Sequence, residues 1–207
     1  LYARLDERLQ ALARRPLLLW LIKEAGAAGE EIPGNRGELY KRFVSRMLRR
    51  DTDRRMDAEI PERKKQQALA DLAYYLGQGQ RLTCPREEVV TVIAERFGEE
   101  SARTLLGVCA RHGLLAGEDD LWFAPHQTVQ EHFAALALRE RWQQECQAPP
   151  LRRLWCILRR ENIAALAADD WWAETFVQLA GLVEDADALA QDLARVNPWL
   201  AWWCVEE

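Results

Sequence analysis

A single stretch of this 207-residue chain reads as β-structure, and it limits what the remainder can fold into. Leu114-Leu115-Ala116 and Leu121-Trp122-Phe123 are short apolar runs separated by Gly117-Glu118-Asp119-Asp120, the signature of a tight hairpin. A hairpin of this size cannot bury its own apolar face, so the helices around it must. Directly after it comes His126-Gln127-Thr128-Val129-Gln130-Glu131-His132-Phe133-Ala134-Ala135. Thr128 followed by Glu131 is the spacing of a capping box, in which each side chain bonds the other residue's backbone N–H. Val129, Phe133 and Leu136 then share one face of the helix it opens, which the pattern carries from Val129 to about Cys146.

The segments on both sides carry helical spacing. Leu5, Leu9 and Leu12 mark a first helix that ends at Arg15-Pro16, because the residue before proline resists helical angles. Leu17 to Lys23 begins a second, and Gly26 to Gly37 reads as a loop. Leu39, Tyr40, Phe43, Val44, Met47 and Leu48 form a wide apolar stripe. The charged run Arg49 to Glu59 suggests a domain boundary. Helices follow at Pro61 (through Leu69, Leu72, Ala73 and Leu76), at Pro85 (through Val89, Ile93 and Phe97) and from about Glu100 to His112. In the last, Leu105, Leu106 and Cys109 face inward and Gly113 is the C-terminal cap. Three helices and then a hairpin is the winged-helix arrangement. Past Pro149-Pro150, helical patterns recur at Leu151–Arg160, Trp171–Leu182 and Ala186–Val196, before a Trp-rich end at Asn197-Pro198.

The expected fold is therefore mainly α: a helical domain over 1–58, a winged-helix domain with its trailing helix over 59–147, and the start of a helical repeat region over 148–207. Seven of nine tryptophans fall between 142 and 203, as expected where the faces of stacked helices await cover. The chain opens on Leu rather than Met, and reads as a piece of a longer protein.

Composition narrows the chemistry. No apolar run approaches the roughly 20 residues of a membrane span; Leu17-Leu18-Leu19-Trp20-Leu21-Ile22 reads as a buried helix. Five scattered cysteines (Cys84, Cys109, Cys146, Cys156, Cys204) lack the spacing of a zinc site or a disulfide framework, which fits buried thiols in a reducing cytoplasm. There is no phosphate-cradling G-x-x-x-x-G-K-[ST], and neither Ser45 nor Ser101 sits in a nucleophile elbow. The three histidines have no His-Glu-x-x-His spacing. His112 reads as a helix-end residue suited to the negative dipole, and His132 as a surface or partly buried one. Neither catalysis nor a bound metal is expected of this segment.

Two alternatives are a winged-helix DNA-binding regulator and a purely structural helical scaffold. The electrostatics oppose the first. The candidate recognition helix offers only Arg103, Arg111 and His112, and the wing tip carries Glu118-Asp119-Asp120 where phosphate would lie. Residues 161–207 hold ten acidic residues against Arg195.

In ordered blocks the chain resembles the signal-transducing NTPases with NACHT domains, relatives of animal NOD-like receptors. Arg15-Pro16-Leu17-Leu18-Leu19 with Ile32-Pro33-Gly34-Asn35-Arg36-Gly37-Glu38-Leu39-Tyr40 is similar to the helical domain after their NTPase core. The 113–123 hairpin with His-x-Thr-x-Gln-Glu-x-x-Ala-Ala at 126–135 is similar to their winged-helix signature. Ala180-Gly181-Leu182 and Asn197-Pro198-x-Leu200-Ala201 resemble the helical region beyond. Arg15 stands where that family usually has Asn, and His132 where Tyr is common. The resemblance implies that Pro16 packs on an adenine ring and that His126 contacts the nucleotide's β-phosphate, holding an inactive ADP state until ATP replaces it. It also implies an upstream NTPase domain with Walker motifs and magnesium ligands as the immediate partner. The activated parent is then expected to form a homo-oligomer in intracellular signalling or defence, without membrane or nucleic acid. A nucleotide on this segment alone is not expected. On physical grounds the His126 role is sound, since a helix N-terminus offers free N–H groups and positive dipole to an anion.

Overall fold

The computed structural model of the chain describes residues 10, 12–27, 32–49, 60–147 and 163–206. Most of the first predicted helix, the charged run from Arg50 to Glu59 and the helix predicted at Leu151–Arg160 lie outside them. What is described is mainly α-helical, with one small antiparallel sheet.

Pro16 opens helix α1 (Pro16–Ala27), and the Arg15 carbonyl accepts from the Leu19 N–H at 2.9 Å. The fixed φ of proline suits that first position, where no N–H is required. Asn35 caps α2 (Arg36–Arg49) by accepting the Glu38 N–H at 2.8 Å. The predicted loop is thus shorter than 26–37, since Gly26 and Gly37 both lie inside helices. The apolar stripe turns inward as expected, burying Leu39, Tyr40, Val44 and Leu48 with Phe43 and Met47 beside them. Leu18, Leu21 and Ile22 of α1 meet Leu39 and Tyr40 in a small separate cluster.

Helix α3 (Glu62–Gln78) follows Pro61 and buries Leu69, Leu72, Ala73 and Leu76. Next come strand β1 (Thr83–Pro85), α4 (Arg86–Phe97) and α5 (Glu99–Arg111), then the hairpin of β2 (Leu115–Ala116) and β3 (Asp120–Phe123). The hairpin is where the spacing places it, but β1 adds a third strand where the sequence predicts only the opening of a helix at Pro85. Thr83 pairs with Trp122 and Cys84 with Leu121, so the sheet order is β1-β3-β2. Helix, strand, two helices and a hairpin, with the first strand on the outer edge of that hairpin, is the winged-helix order. Gly113, at φ +71°, adopts the left-handed turn that lets the chain leave α5 for β2.

Helix α6 (Gln127–Gln147) is the axis of the fold. Its Ala- and Leu-rich middle buries residues all round, from Val129 and Phe133 to Leu138 and Trp142, because α3 packs on one side and α7 (Ala173–Ala180) on another. Two short 3-10 turns, Ile163–Ala168 and Asp170–Trp172, lead into α7. Beyond α7 lie α8 (Ala186–Ala194), capped by Asp185, and α9 (Pro198–Glu206), whose preceding Asn197 accepts the Leu200 N–H at 3.0 Å. A continuous core runs from Val44 of α2 through the winged-helix elements to Cys204 of α9.

Candidate functional site

His126 sits at the mouth of α6 and is exposed. Its Nδ1 accepts the Thr128 backbone N–H at 3.2 Å and lies 3.1 Å from the Thr128 hydroxyl, while its carbonyl accepts the Val129 N–H at 2.9 Å. The imidazole itself therefore caps the helix. The expected Thr128–Glu131 capping box is not what forms. Helix α6 begins at Gln127, two residues earlier than that motif needs, which places Thr128 inside the first turn. The Thr128 hydroxyl is taken instead by Tyr40, whose phenol donates to it at 2.8 Å. Glu131 accepts from the Gln127 side-chain amide at 3.0 Å.

This geometry selects a tautomer. With Nδ1 acting as acceptor, the ring proton belongs on Nε2, leaving an N–H donor on an exposed side chain. Tyr40 holds Thr128, and Thr128 holds His126, so the donor is positioned by a chain of contacts rooted in α2. Burial pushes the Tyr40 phenol up to about 12, and the Thr128 bond opposes that only in part. It remains a donor through the physiological range.

Around this chain the blocks singled out in the sequence come together. Glu174 of α7 accepts from Arg36 at 2.8 and 3.0 Å, and from Arg15, the residue before Pro16, at 3.2 Å. Gln178 of α7 donates to the Thr128 carbonyl at 3.2 Å. Gly37 passes so close to α7 that a Cβ there would stand 2.6 Å from the Gln178 carbonyl oxygen; one on Gly181 would stand 2.6 Å from Asn35 Oδ1. The Gly-Asn-Arg-Gly turn and the Ala-Gly-Leu turn, far apart in sequence, are thus one backbone contact. Side chains larger than glycine would force them apart.

Two polar groups here are held at a cost. Burial, with the negative charge of Glu174 adding to it, raises the Glu131 carboxyl to about 7. Its Oε2 has no protein partner. Beside it is a cavity of about 10 Å³ lined by Gln127, Gln130, Glu131 and Thr175, room for one water rather than for a nucleotide. His132 is the second. It is fully buried between Tyr40 and Phe133, with ring centroids 5.9 Å away in each case, and neither ring nitrogen has a hydrogen-bond partner. Burial drives its pKa down to about 3, against a weak opposing influence of Gln178. The expectation of a surface or partly buried position for His132 is therefore wrong. It lies on the α6 face that α2 and α7 cover, and that cover is invisible in the local pattern.

Pro16, the other residue predicted to contact a ligand, is exposed at the start of α1. Its neighbour Arg15 ties that helix start to Glu174. Tyr40, Arg36, Glu174 and Gln178 escaped the sequence reading. Tyr40 reads as part of an apolar stripe, and its partner lies 88 residues on; Arg36 and Glu174 are separated by 138.

The remaining predicted features are accounted for within the fold. His112 ends α5 as expected but is buried: its Nδ1–H donates to the Met47 carbonyl at 3.0 Å, and its Nε2 is 3.4 Å from the buried Lys65 ammonium. Gln130, on α6, donates to the Arg81 carbonyl at 3.0 Å. On the face a DNA reader would use, Arg103 is engaged by Glu87 and Glu99 at 3.0 and 3.1 Å, and the three wing-tip acids are exposed. Cys84, Cys109 and Cys204 are buried, as expected of these thiols, and Cys84 lies on β1. Among the described residues no group of His, Cys, Asp and Glu could hold a metal, and no helix is long and apolar enough to cross a membrane.

Comparison of the chain with family models, with curated proteins and with solved structures finds no match in any of the three.

Proposed function

We propose that this chain is the regulatory helical and winged-helix part of a NACHT-type signal-transducing ATPase, working in a reducing cytoplasm. It packs against an upstream nucleotide-binding domain and helps to hold ADP in the inactive state. One observation carries the reading. The histidine that the resemblance singles out is exposed at a helix N-terminus with Nδ1 engaged, so an oriented Nε2–H and the positive end of the α6 dipole face outward together. That is the equipment for binding one phosphate oxygen from one side.

The residues fit a wall of a nucleotide site rather than the whole of one. Pro16 and His126 are both exposed and available to a ligand held by another domain, whereas the cavity beside Glu131 admits only water. Bound ADP would supply the anionic oxygen; the chain's own part is to present the imidazole N–H through Tyr40 and Thr128, and to anchor Pro16 through Arg15 and Glu174. Hydrolysis would fall to the upstream domain and its magnesium, because this chain carries no G-x-x-x-x-G-K-[ST]. Second, the contact of the α1–α2 region with α7 through Glu174 suits a segment that closes as one body.

The first test is the coding sequence upstream, where absence of a G-x-x-x-x-G-K-[ST] would end the assignment. Given that motif, the intact protein is loaded with ADP and dissociation is followed for wild type and for His126→Ala. Faster release from the variant is expected. Equal release would remove the phosphate role from His126.

A further inference from the structure

Helix α9 buries Leu200, Ala201 and Cys204 and turns its other side to solvent. On that side stand Trp199, Trp202 and Trp203, with 78%, 53% and 53% of their surface exposed. Spacings of three and four residues place them together on the helix surface. Val196 before the helix and Val205 within it are exposed as well. Singly exposed hydrophobic residues are ordinary, but three adjacent indoles are not, and tryptophan is among the residues that dominate binding energy where partners meet.

Among the described residues of this part of the chain the charge is one-sided. Residues 163–206 hold eight carboxylates and one basic residue, Arg195, which is itself 3.5 Å from Asp192. Glu206 lies four and three residues beyond Trp202 and Trp203, on the same face of α9. Glu184, Asp185, Asp187 and Asp192 belong to α8 and the turn before it, and α8 packs directly on α9.

We propose that the outward face of α9 is a docking surface for a basic amphipathic helix. The partner's apolar side would cover the three indoles, and its Lys and Arg side chains would meet the carboxylates and the indole faces. The same charge argues against a membrane and a second copy as the cover, and a further stacked helix of the repeat region would fit only if it carried the same basic, apolar face. Tryptophan suits a membrane interface, but anionic headgroups are repelled by this surface. A two-fold contact between copies would set each acidic patch against its own image. The inference rests on α9 and its surroundings and stands apart from the nucleotide reading.

The test titrates the full chain with a synthetic amphipathic peptide of Leu and Lys, and with its counterpart in which Glu replaces Lys. Heat of binding and tryptophan emission are both recorded. The Leu/Lys peptide should bind and the Leu/Glu peptide should not. Trp199→Ala and Trp203→Ala should each weaken binding by about tenfold, the scale of a truncated anchor residue. Glu206→Lys should weaken it by a smaller factor that shrinks as salt is added. Trp122→Ala, on the exposed wing, should leave it unchanged. The substituted side chains are exposed, and unchanged circular dichroism verifies the fold of each variant. Equal binding of both peptides, or indifference to Trp199→Ala and Trp203→Ala, overturns the proposal. So does emission that shifts with phosphatidylglycerol vesicles alone, or a dimer in sedimentation that Trp199→Ala dissolves.

Discussion

The winged-helix elements and the junction where α2, α6 and α7 meet are built on different principles. Between α3 and β3 the interior is mostly apolar, with Lys65 and His112 as its buried polar pair: Leu69, Leu72, Leu76, Val89, Ile93, Leu105 and Leu121 pack together, and surface charges such as Arg96 and Asp71 pair at 2.6 Å. At the junction the contacts are directional. Tyr40, Thr128 and His126 form a chain, Arg15 and Arg36 converge on Glu174, and His132, Glu131 and Gln178 each keep a buried polar atom without a protein partner. Burial of apolar area tolerates small shifts, whereas a polar network holds one arrangement and is costly when half satisfied. The junction is therefore the part of the molecule whose arrangement is set by directional contacts, and it is where the candidate ligand residues lie.

Phe133→Ala should break the comparison from the apolar side and have the largest effect. The ring is fully buried, 5.6 Å from Phe123, and its removal should cost about 3–5 kcal/mol in chemical denaturation. A loss below about 1 kcal/mol would mean that the core is less tightly packed than described.

The next effect belongs to His132. Its imidazole is held near a pKa of about 3 in the fold against an ordinary 6.5, so the folded protein binds fewer protons than the unfolded chain between those values. Its contribution is complete above pH 6.5 and is lost as pH falls toward 3. His132→Phe should abolish that loss, so its stability advantage over wild type should grow by about 1–3 kcal/mol between neutral pH and acid. Parallel pH profiles would show that the ring is not buried in its neutral form.

The smallest effect tests the ionic edge of the junction. Arg36→Ala leaves Glu174 with Arg15 as its ion-pair partner among the described residues, and the Arg36 side chain is only 16% exposed, so about 1 kcal/mol should be lost at low salt and less at high salt. Hydrogen exchange should quicken in α7 while the β1–β3 amides keep their protection. Uniform loosening would mean that the two regions unfold as one unit.

Much of this architecture is legible in the chain without coordinates. Apolar spacing locates α2, α3, α4 and α5, and Gly113 marks the turn into a hairpin that needs only local pattern to be found. Strand β1 is not legible, because three residues ending in Pro85 carry no period and become a strand only when β3 lies alongside. The candidate site divides in the same way. His126 in front of a helix is readable, and so is the run that makes α6. Which atom of His126 is left to face outward was decided by Tyr40 and Thr128, and the burial of His132 by α2 and α7 closing over it. Helical periodicity reports where a helix forms and which face is apolar, because both depend on neighbours three and four residues away. Hydrogen-bond partners 88 and 138 residues apart depend on how helices cross, and only the folded chain brings them within reach.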